Sequence, residues 1–436
     1  MNPASTIPIE IVTLIIKYCA EKAFHMGIND SNSADNPFLH RTSVKELLSL
    51  RVLGKSWAAA IPPVVYQALR LQSPWAQAYI SGMWSKGVIM SSLSHHHLRR
   101  LALDRVMYLP SLGSESFYEG TMDHLFKKLE SEYEHYNTKS MSMNDATKLI
   151  LLCSSSLTDL KIGFTGTVGF SDDLVLAIQA ISSLKSFSIE GDERHNIMNN
   201  ADSLIEILNH TDLLESLSLK FSTLGSLAVR DGALPQLVHF WVALHCENLN
   251  AINDFCQAPG RRIKLLEFSP TSYVGDSEAM IRAMRSTLEG LFIDRMPDRL
   301  PDELRFMRFP KLRIFRNVHI SPSFHQPAWF GWPFFEAVNI FITSYDKGNT
   351  YWRKLLEEFG DLRMPLNLKR FIFVTGKGKV IKDERNRLNT LRAVRDPSAK
   401  TAVNAQSGAI EDAYVRFFEV LKIISIPLTM QMCRMK

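Results

Sequence analysis

Apolar residues return along most of the chain at one spacing, the first, fourth and sixth positions of a six-residue window. The clearest copy is Leu214, Leu217 and Leu219 within Leu213 to Phe221. Its last residues alternate apolar and polar, as a short strand with one buried face requires. The amphipathic run Ala201 to Leu208 comes just before, so the local unit reads helix, turn, strand. The same spacing recurs at Leu98/Leu101/Leu103, Leu157/Leu160/Ile162, Leu184/Phe187/Ile189, Leu237/Phe240/Val242, Ile263/Leu266/Phe268, Leu288/Leu291/Ile293, Phe335/Val338/Ile340 and Leu368/Phe371/Phe373. Leu312/Phe315 opens a further copy that breaks at Asn317. From Leu157 the starts lie 27, 30, 23, 26, 25, 24, 23 and 33 residues apart.

One such match is cheap, because Leu is common; nine successive starts in so narrow a range are not. The array resembles the leucine-rich-repeat family, in its irregular form without a regular Asn or Cys after the strand. The resemblance implies an α/β solenoid. Helical runs precede the strands, at Asp172 to Ile181, Leu249 to Phe255, Asp276 to Arg285 and Thr350 to Phe359. Parallel strands joined by right-handed helical crossovers stack with the strands on the concave side and the helices on the convex side. The residues between the buried strand positions then face the concave side. That row begins with Asp159, Lys161, Ser186, Ser188, Ser216 and Ser218. It continues with His239, Trp241, Leu265, Glu267, Phe292, Ile314, Arg316, Asn339, Arg370 and Ile372. Early repeats offer Ser and charge, whereas later ones place large apolar groups toward solvent, as binding surfaces do. His239, Trp241, Glu267, Phe292, Ile314 and Arg316 are therefore the candidate target-binding residues. A register shifted by one residue would turn them into core.

The N-terminal segment has a different pattern. In Ile7-Pro-Ile-Glu-Ile-Val-Thr-Leu-Ile-Ile-Lys-Tyr-Cys19, Pro8 suits the first helical position and Glu10 lies near the positive end of the helix dipole. Ile11, Leu14, Ile15, Tyr18 and Cys19 then fall on one helical stripe. A polar loop follows over Ala20 to Thr42. Ser43 and Glu46 form a capping box that starts a second helix, Val44 to Leu53. A third, Lys55 to Ala60, is stopped by Pro62-Pro63. Three short helices bury little against one another, so Ile7, Ile11, Leu14, Leu50 and Trp57 have surface left to cover. Either the repeats or a partner must cover it.

Ile7-Pro8-x-Glu10-Ile11, then Leu47-x-x-Leu50-Arg51-x-Leu53-Gly54-Lys55-x-Trp57, then Pro63-x-x-Tyr66, together resemble an F-box. The sequence departs from that pattern at Ile7, Leu53 and Gly54, and its first connection is long. The resemblance implies a Skp adaptor as partner and, through it, a cullin ubiquitin ligase. It implies that Ile7, Pro8, Glu10, Ile11, Leu14, Leu50 and Lys55 meet the adaptor and that Trp57 anchors the third helix. The expected layout is an F-box at 1–63, a helical linker at 64–97 with Val64 to Leu71 helical and Trp75, Tyr79 and Trp84 as aromatic bulk, then a solenoid at 98–375. An insertion near 110–150 contains the amphipathic run Met122 to Tyr136. A basic extension at 376–436 carries an expected capping helix through Ile410, Tyr414, Phe417, Phe418 and Leu421.

Composition changes this picture little. Of 436 residues, 46% are hydrophobic and 22% charged, ordinary for a globular chain, and a net charge of +5 is too mild to imply nucleic acid. Five scattered cysteines lack C-x-x-C spacing, which argues against disulfides and zinc and fits a reducing compartment. Neither a signal peptide nor a membrane-spanning run is evident, so the expected location is cytoplasmic or nuclear. His95-His96-His97 are consecutive and point in different directions, so they do not suggest one metal site. Thr375 to Val380 lacks phosphate-loop spacing, and no nucleophile motif is present. The chain therefore reads as a non-catalytic adaptor without cofactor. A repeat scaffold with no ubiquitin role is the alternative. Nucleic-acid binding through Lys369 to Lys400, with ten basic residues against three acids, is weaker still.

Overall fold

The computed structural model describes residues 7–23, 47–65, 67–71, 98–108, 140–191, 198, 201–270, 277–296, 302–320, 331–344 and 367–374. The expectations for Trp75, Tyr79, Trp84, His95 to His97, Met122 to Tyr136, Thr350 to Phe359, Thr375 to Val380 and Ile410 to Leu421 lie outside the described residues. The chain forms two compact units, divided between Gln236 and Leu237.

The first unit opens with α1 (Ile9–Ala23), a 3-10 turn (Leu50–Leu53) and α2 (Lys55–Val65). Its strands are β1 (Ala68–Leu71), β2 (Arg100–Met107), β3 (Met141–Ser142), β4 (Asp159–Thr165), β5 (Ser186–Glu190) and β6 (Ser216–Lys220). Between them lie α3 (Met143–Cys153), α4 (Asp172–Gln179) and α5 (Ala201–Asn209). The strands pair in parallel in the order β1, β2, β4, β5, β6. The short β3 joins β2 at Val106 and Met107, beyond the stretch that β1 occupies. Arg105, with φ 64°, marks the irregularity between Leu103 and Val106 where β2 passes from one neighbour to the other.

The second unit carries β7 (His239–Leu244), α6 (Leu249–Gln257), β8 (Leu265–Pro270), α7 (Glu278–Ala283), β9 (Gly290–Met296), α8 (Asp302–Phe306), β10 (Ile314–Ile320), β11 (Ile340–Ser344) and β12 (Arg370–Val374). These strands pair in parallel in chain order.

Local chemistry explains the helix starts. Ser142 caps α3, its Oγ accepting from the Asp145 N–H at 3.1 Å and donating to Asp145 Oδ2 at 2.7 Å. Ser171 caps α4, and Asp172 and Asp173 stand in its first turn, against the positive end of the dipole. Each helix buries one stripe: Ala146, Leu149 and Ile150 on α3, Leu174, Val175 and Ile178 on α4, Leu204, Ile207 and Leu208 on α5. Hydroxyls stitch successive repeats. Ser156, Ser183 and Thr287, each just before a repeat's first apolar residue, donate to the carbonyls of Leu98, Leu157 and Ile263 in the preceding repeat.

The periodic residues form the core. The fourth-position residues Leu101, Leu160, Phe187 and Leu217 stand in register in the first unit, and Phe240, Leu266, Leu291, Phe315, Phe341 and Phe371 in the second. Phe240 meets Phe255 of α6 with ring centroids 5.1 Å apart, and Phe315 meets Phe335 and Phe341 at 5.1 and 5.3 Å. Among the described residues no helix is long and apolar enough to cross a membrane.

Four expectations need correction. Residues 68–71 are a strand rather than a helix, because Ala68 to Leu71 pair in register with Arg100 to Leu103. Helix α2 runs through Pro62 and Pro63 to Val65, because burying Ile61 and Val64 outweighs the two lost backbone donors. Helix α1 runs on to Ala23, into the expected loop. The copy read at Phe335/Val338/Ile340 begins three residues later, at Val338: Phe341, not Val338, aligns with Phe315 and Phe371. The phenylalanine pair Phe334 and Phe335 belongs instead to a short 3-10 helix (Pro333–Phe335) that packs into the core.

Asn317 does not end its strand. It pairs in register with Ile293 and Thr343 and is fully buried, with no hydrogen-bond partner at either amide atom. A buried unpaired polar group costs about 1–3 kcal/mol, so Asn317→Leu is expected to raise the thermal midpoint by a few degrees. A lower midpoint would mean that the amide is bonded in solution.

Candidate functional site

Two surfaces differ from ordinary core and rim. The first is on α1, which packs on α2 through Val12 and Ile16. The far side is left uncovered: Ile11 is 48% and Leu14 62% exposed, with Ile15 beside them. Val52, in the 3-10 turn, is 87% exposed. Pro8, Glu10 and Lys55 are exposed, Ile7 and Leu50 are half-buried, and Trp57 is buried with no partner for its indole N–H. The sequence thus supplies two apolar stripes to one helix, and the head satisfies only one. Covering Ile11, Leu14 and Ile15 would contribute roughly 2–4.5 kcal/mol, at about half of the 1.5–3 kcal/mol for each full burial.

The second surface is the strand face opposite the helices, and it has a different character in each unit. In the first unit it is polar. One cross-strand row holds Arg100, Asp159, Ser186 and Ser216, and the next holds Ala102, Lys161, Ser188 and Ser218. Arg100 Nε lies 3.6 Å from Asp159 Oδ2, Lys161 Nζ 2.7 Å from Glu190 Oε2, and Lys220 Nζ 3.3 Å from the same oxygen. Burial holds the Asp159 carboxyl above its ordinary value, against the opposing pull of Arg100 and the Thr158 hydroxyl. Ser188 and Ser218 bury hydroxyls that have no hydrogen-bond partner.

In the second unit the same face is mostly apolar. One row is His239, Leu265, Gly290, Ile314 and Ile340; the next is Trp241, Glu267, Phe292, Arg316 and Ile342. His239 Nε2 lies 3.1 Å from Glu267 Oε1, with both side chains buried. Gly290 makes a notch that Leu265 fills, since a Cβ there would stand 2.7 Å from Leu265 Cδ1. Arg316 lies over the Phe292 ring at 5.8 Å.

Placement of the expected target-binding residues is therefore mixed. Their alternation is as read, with Trp241, Glu267, Phe292 and Arg316 in one row. Exposure is not: His239, Glu267, Phe292 and Ile314 are buried, and only Trp241 and Arg316 are half-buried. Alternation tells which side of a strand a residue takes, but large neighbours in a tight row shield one another, and a single sequence does not display that. Asn339 belongs to the turn before β11 rather than to the row.

Among the described residues no group of His, Cys, Asp and Glu is placed to hold a metal ion. A cavity of about 320 Å³ at the carboxyl ends of β2 and β3 is lined by Met107, Met141 and Met143 with Ser140 and Asp145. Among the described residues that line it, no nucleophile is paired with a histidine. Burial pushes the Cys153 thiol up to about 11 and that of Cys256 upward as well, so both are poor nucleophiles at neutral pH.

No family model matches the sequence, and no curated protein is similar to it. A solved structure, the leucine-rich repeat-containing protein LegL7 from Legionella pneumophila, is similar at 13% identity over 54% of this chain and 91% of its own, with a TM-score of 0.31.

Two predictions follow from this geometry. Phe292→Ala is expected to cost about 3–5 kcal/mol in denaturant unfolding and Trp241→Ala clearly less; equal costs would contradict their unequal burial. For Asp159, a folded-state value raised above the unfolded one means that stability is favoured below the unfolded value and lost as pH rises through the folded one. The thermal midpoint of the wild type relative to Asp159→Asn should therefore rise on acidification through the carboxylate range. A difference that is flat or falls would contradict the direction of the shift.

Proposed function

We propose that this chain is a non-catalytic adaptor, with an F-box-like head that docks a Skp-type subunit of a cullin ubiquitin ligase and leucine-rich repeats that hold a target protein. The observation that carries the reading is the uncovered stripe Ile11, Leu14 and Ile15 on a helix whose opposite stripe is already buried. It lies in the segment that carries the F-box-like spacing, and Pro8, Glu10 and Lys55 are exposed in the same head. The parallel strand arrays, with apolar residues at a constant register, support the repeat part of the reading. Such an adaptor acts by proximity: a target held near the ubiquitin-loaded enzyme presents its lysines at a raised effective concentration.

The test is co-purification of the full chain with the Skp-type adaptor. Wild type should retain it, and Ile11→Asp with Leu14→Asp should lose it at an unchanged thermal midpoint, since both side chains are exposed. If wild type never retains the adaptor, the ligase reading is wrong and a repeat scaffold without a ubiquitin role takes its place. Loss of the adaptor together with a lowered midpoint would count against the stripe as a docking surface.

A further inference from the structure

In the second unit the residues that enter the strands form a row along one rim of the sheet. The backbone N–H of Lys264 donates to the Val238 carbonyl, and Glu289, Arg313, Asn339 and Lys369 each donate to the row member one strand back, at 2.7–2.8 Å. Parallel neighbours stand about 4.8 Å apart, so Lys264, Arg313 and Lys369, on alternate strands, recur every ~10 Å. The turns that lead into this rim add Arg262, Arg285, Arg308 and Lys311.

Among the described residues, charge on this rim is one-sided. Against those seven cations stand Glu289, held by Lys264 at 3.3 Å, and Glu336, held by Arg308 at 3.0 Å. Arg262, Lys311 and Arg313 are exposed. Arg285 Nε donates to the Arg308 carbonyl at 2.8 Å, which fixes a guanidinium within the rim. Phe306, two residues before Arg308, is 76% exposed.

The first unit builds the same row with a balanced charge. There Arg99, Thr158, Lys185 and Glu215 take the equivalent places, each bonded to the one before. Lys185 pairs with Glu215 at 2.7 Å, and Asp212 with Arg230 at 3.6 Å. The backbone device is common to both units, so the fold does not demand the cations of the second.

We propose that the rim of the second unit is a docking strip for an extended acidic segment of a partner protein, with a carboxylate at about every third residue. Three residues of extended chain span about 10 Å, which matches the interval between alternate strands. Phe306 offers an apolar contact of the kind that protein partners use. The carboxylates of Glu289 and Glu336, set between the cations, suit spaced charges and interrupt the unbroken track that a nucleic-acid backbone needs. The strip does not depend on the adaptor reading of the N-terminal helices.

The experiment is fluorescence anisotropy on the full chain at 50 and 300 mM salt. The probes are a labelled fifteen-residue peptide with Glu at every third position, its Gln counterpart and a single-stranded oligonucleotide of similar length. The Glu peptide should bind, and weaken at least tenfold at the higher salt because exposed charges are screened; the Gln peptide should not bind. The combined variant Arg262→Gln, Lys311→Gln and Arg313→Gln should weaken the Glu peptide at least tenfold, while Arg99→Gln in the first unit changes it less than twofold. Unchanged binding in the rim variant would place the attraction in the basic stretch beyond Lys369 and overturn the proposal. Tighter binding of the oligonucleotide, equal losses in the rim and Arg99 variants, or no peptide binding at low salt would overturn it too.

Discussion

A strand of this chain cannot bury its apolar residues alone. Each is five to eight residues long through most of the array, and it gains a dry face only when its backbone is bonded to the strands beside it at the correct register. A slip of one residue would send every leucine to the wrong side. The whole structure depends on that register. It brings Leu160, Phe187 and Leu217 together in one unit and Phe240, Leu266, Leu291 and Phe315 in the other. Whatever lies on the opposite face, or along the rim, inherits its spacing from the same bonds.

The strand positions were legible because their signal is redundant: a window misread in one repeat is corrected by its neighbours' spacing. The misplacement at Phe335 shows the limit. Phe334, Phe335 and Val338 are all large and all buried, so apolar character alone allowed two registers, and only pairing with Phe315 decided between them. The start at Val338 also evens the spacing, with 26 residues from Leu312 and 30 to Leu368. The seryl and threonyl donors Ser156, Ser183 and Thr287 were visible as residue types just before the first apolar position, but their bonds join residues 24–58 apart, and no local pattern reports that.

Other features needed tertiary context. Two prolines end most helices, yet α2 continues because Ile61 and Val64 still have core to fill. Alternation placed Phe292 and Glu267 on the second strand face correctly, but exposure there depends on side chains from adjacent strands, such as Arg316 over the Phe292 ring. The apolar stripe of α1 was legible as a stripe. That a second stripe, Val12 and Ile16, does the internal packing was not, because Ile, Val and Leu occupy nearly the whole circumference of that helix.

The outer edge of β2 is divided, with β1 taking Arg100 to Leu103 and β3 taking Val106 and Met107, on either side of the kink at Arg105. A long flat border would be an open template for a foreign chain, and such borders are where sheet proteins begin to aggregate. Here two short strands share the border, one on each side of that kink. Along that border of β2 a stray strand would find four residues already taken by one guard and two by the other, so no continuous run of free backbone is left there for it to add to.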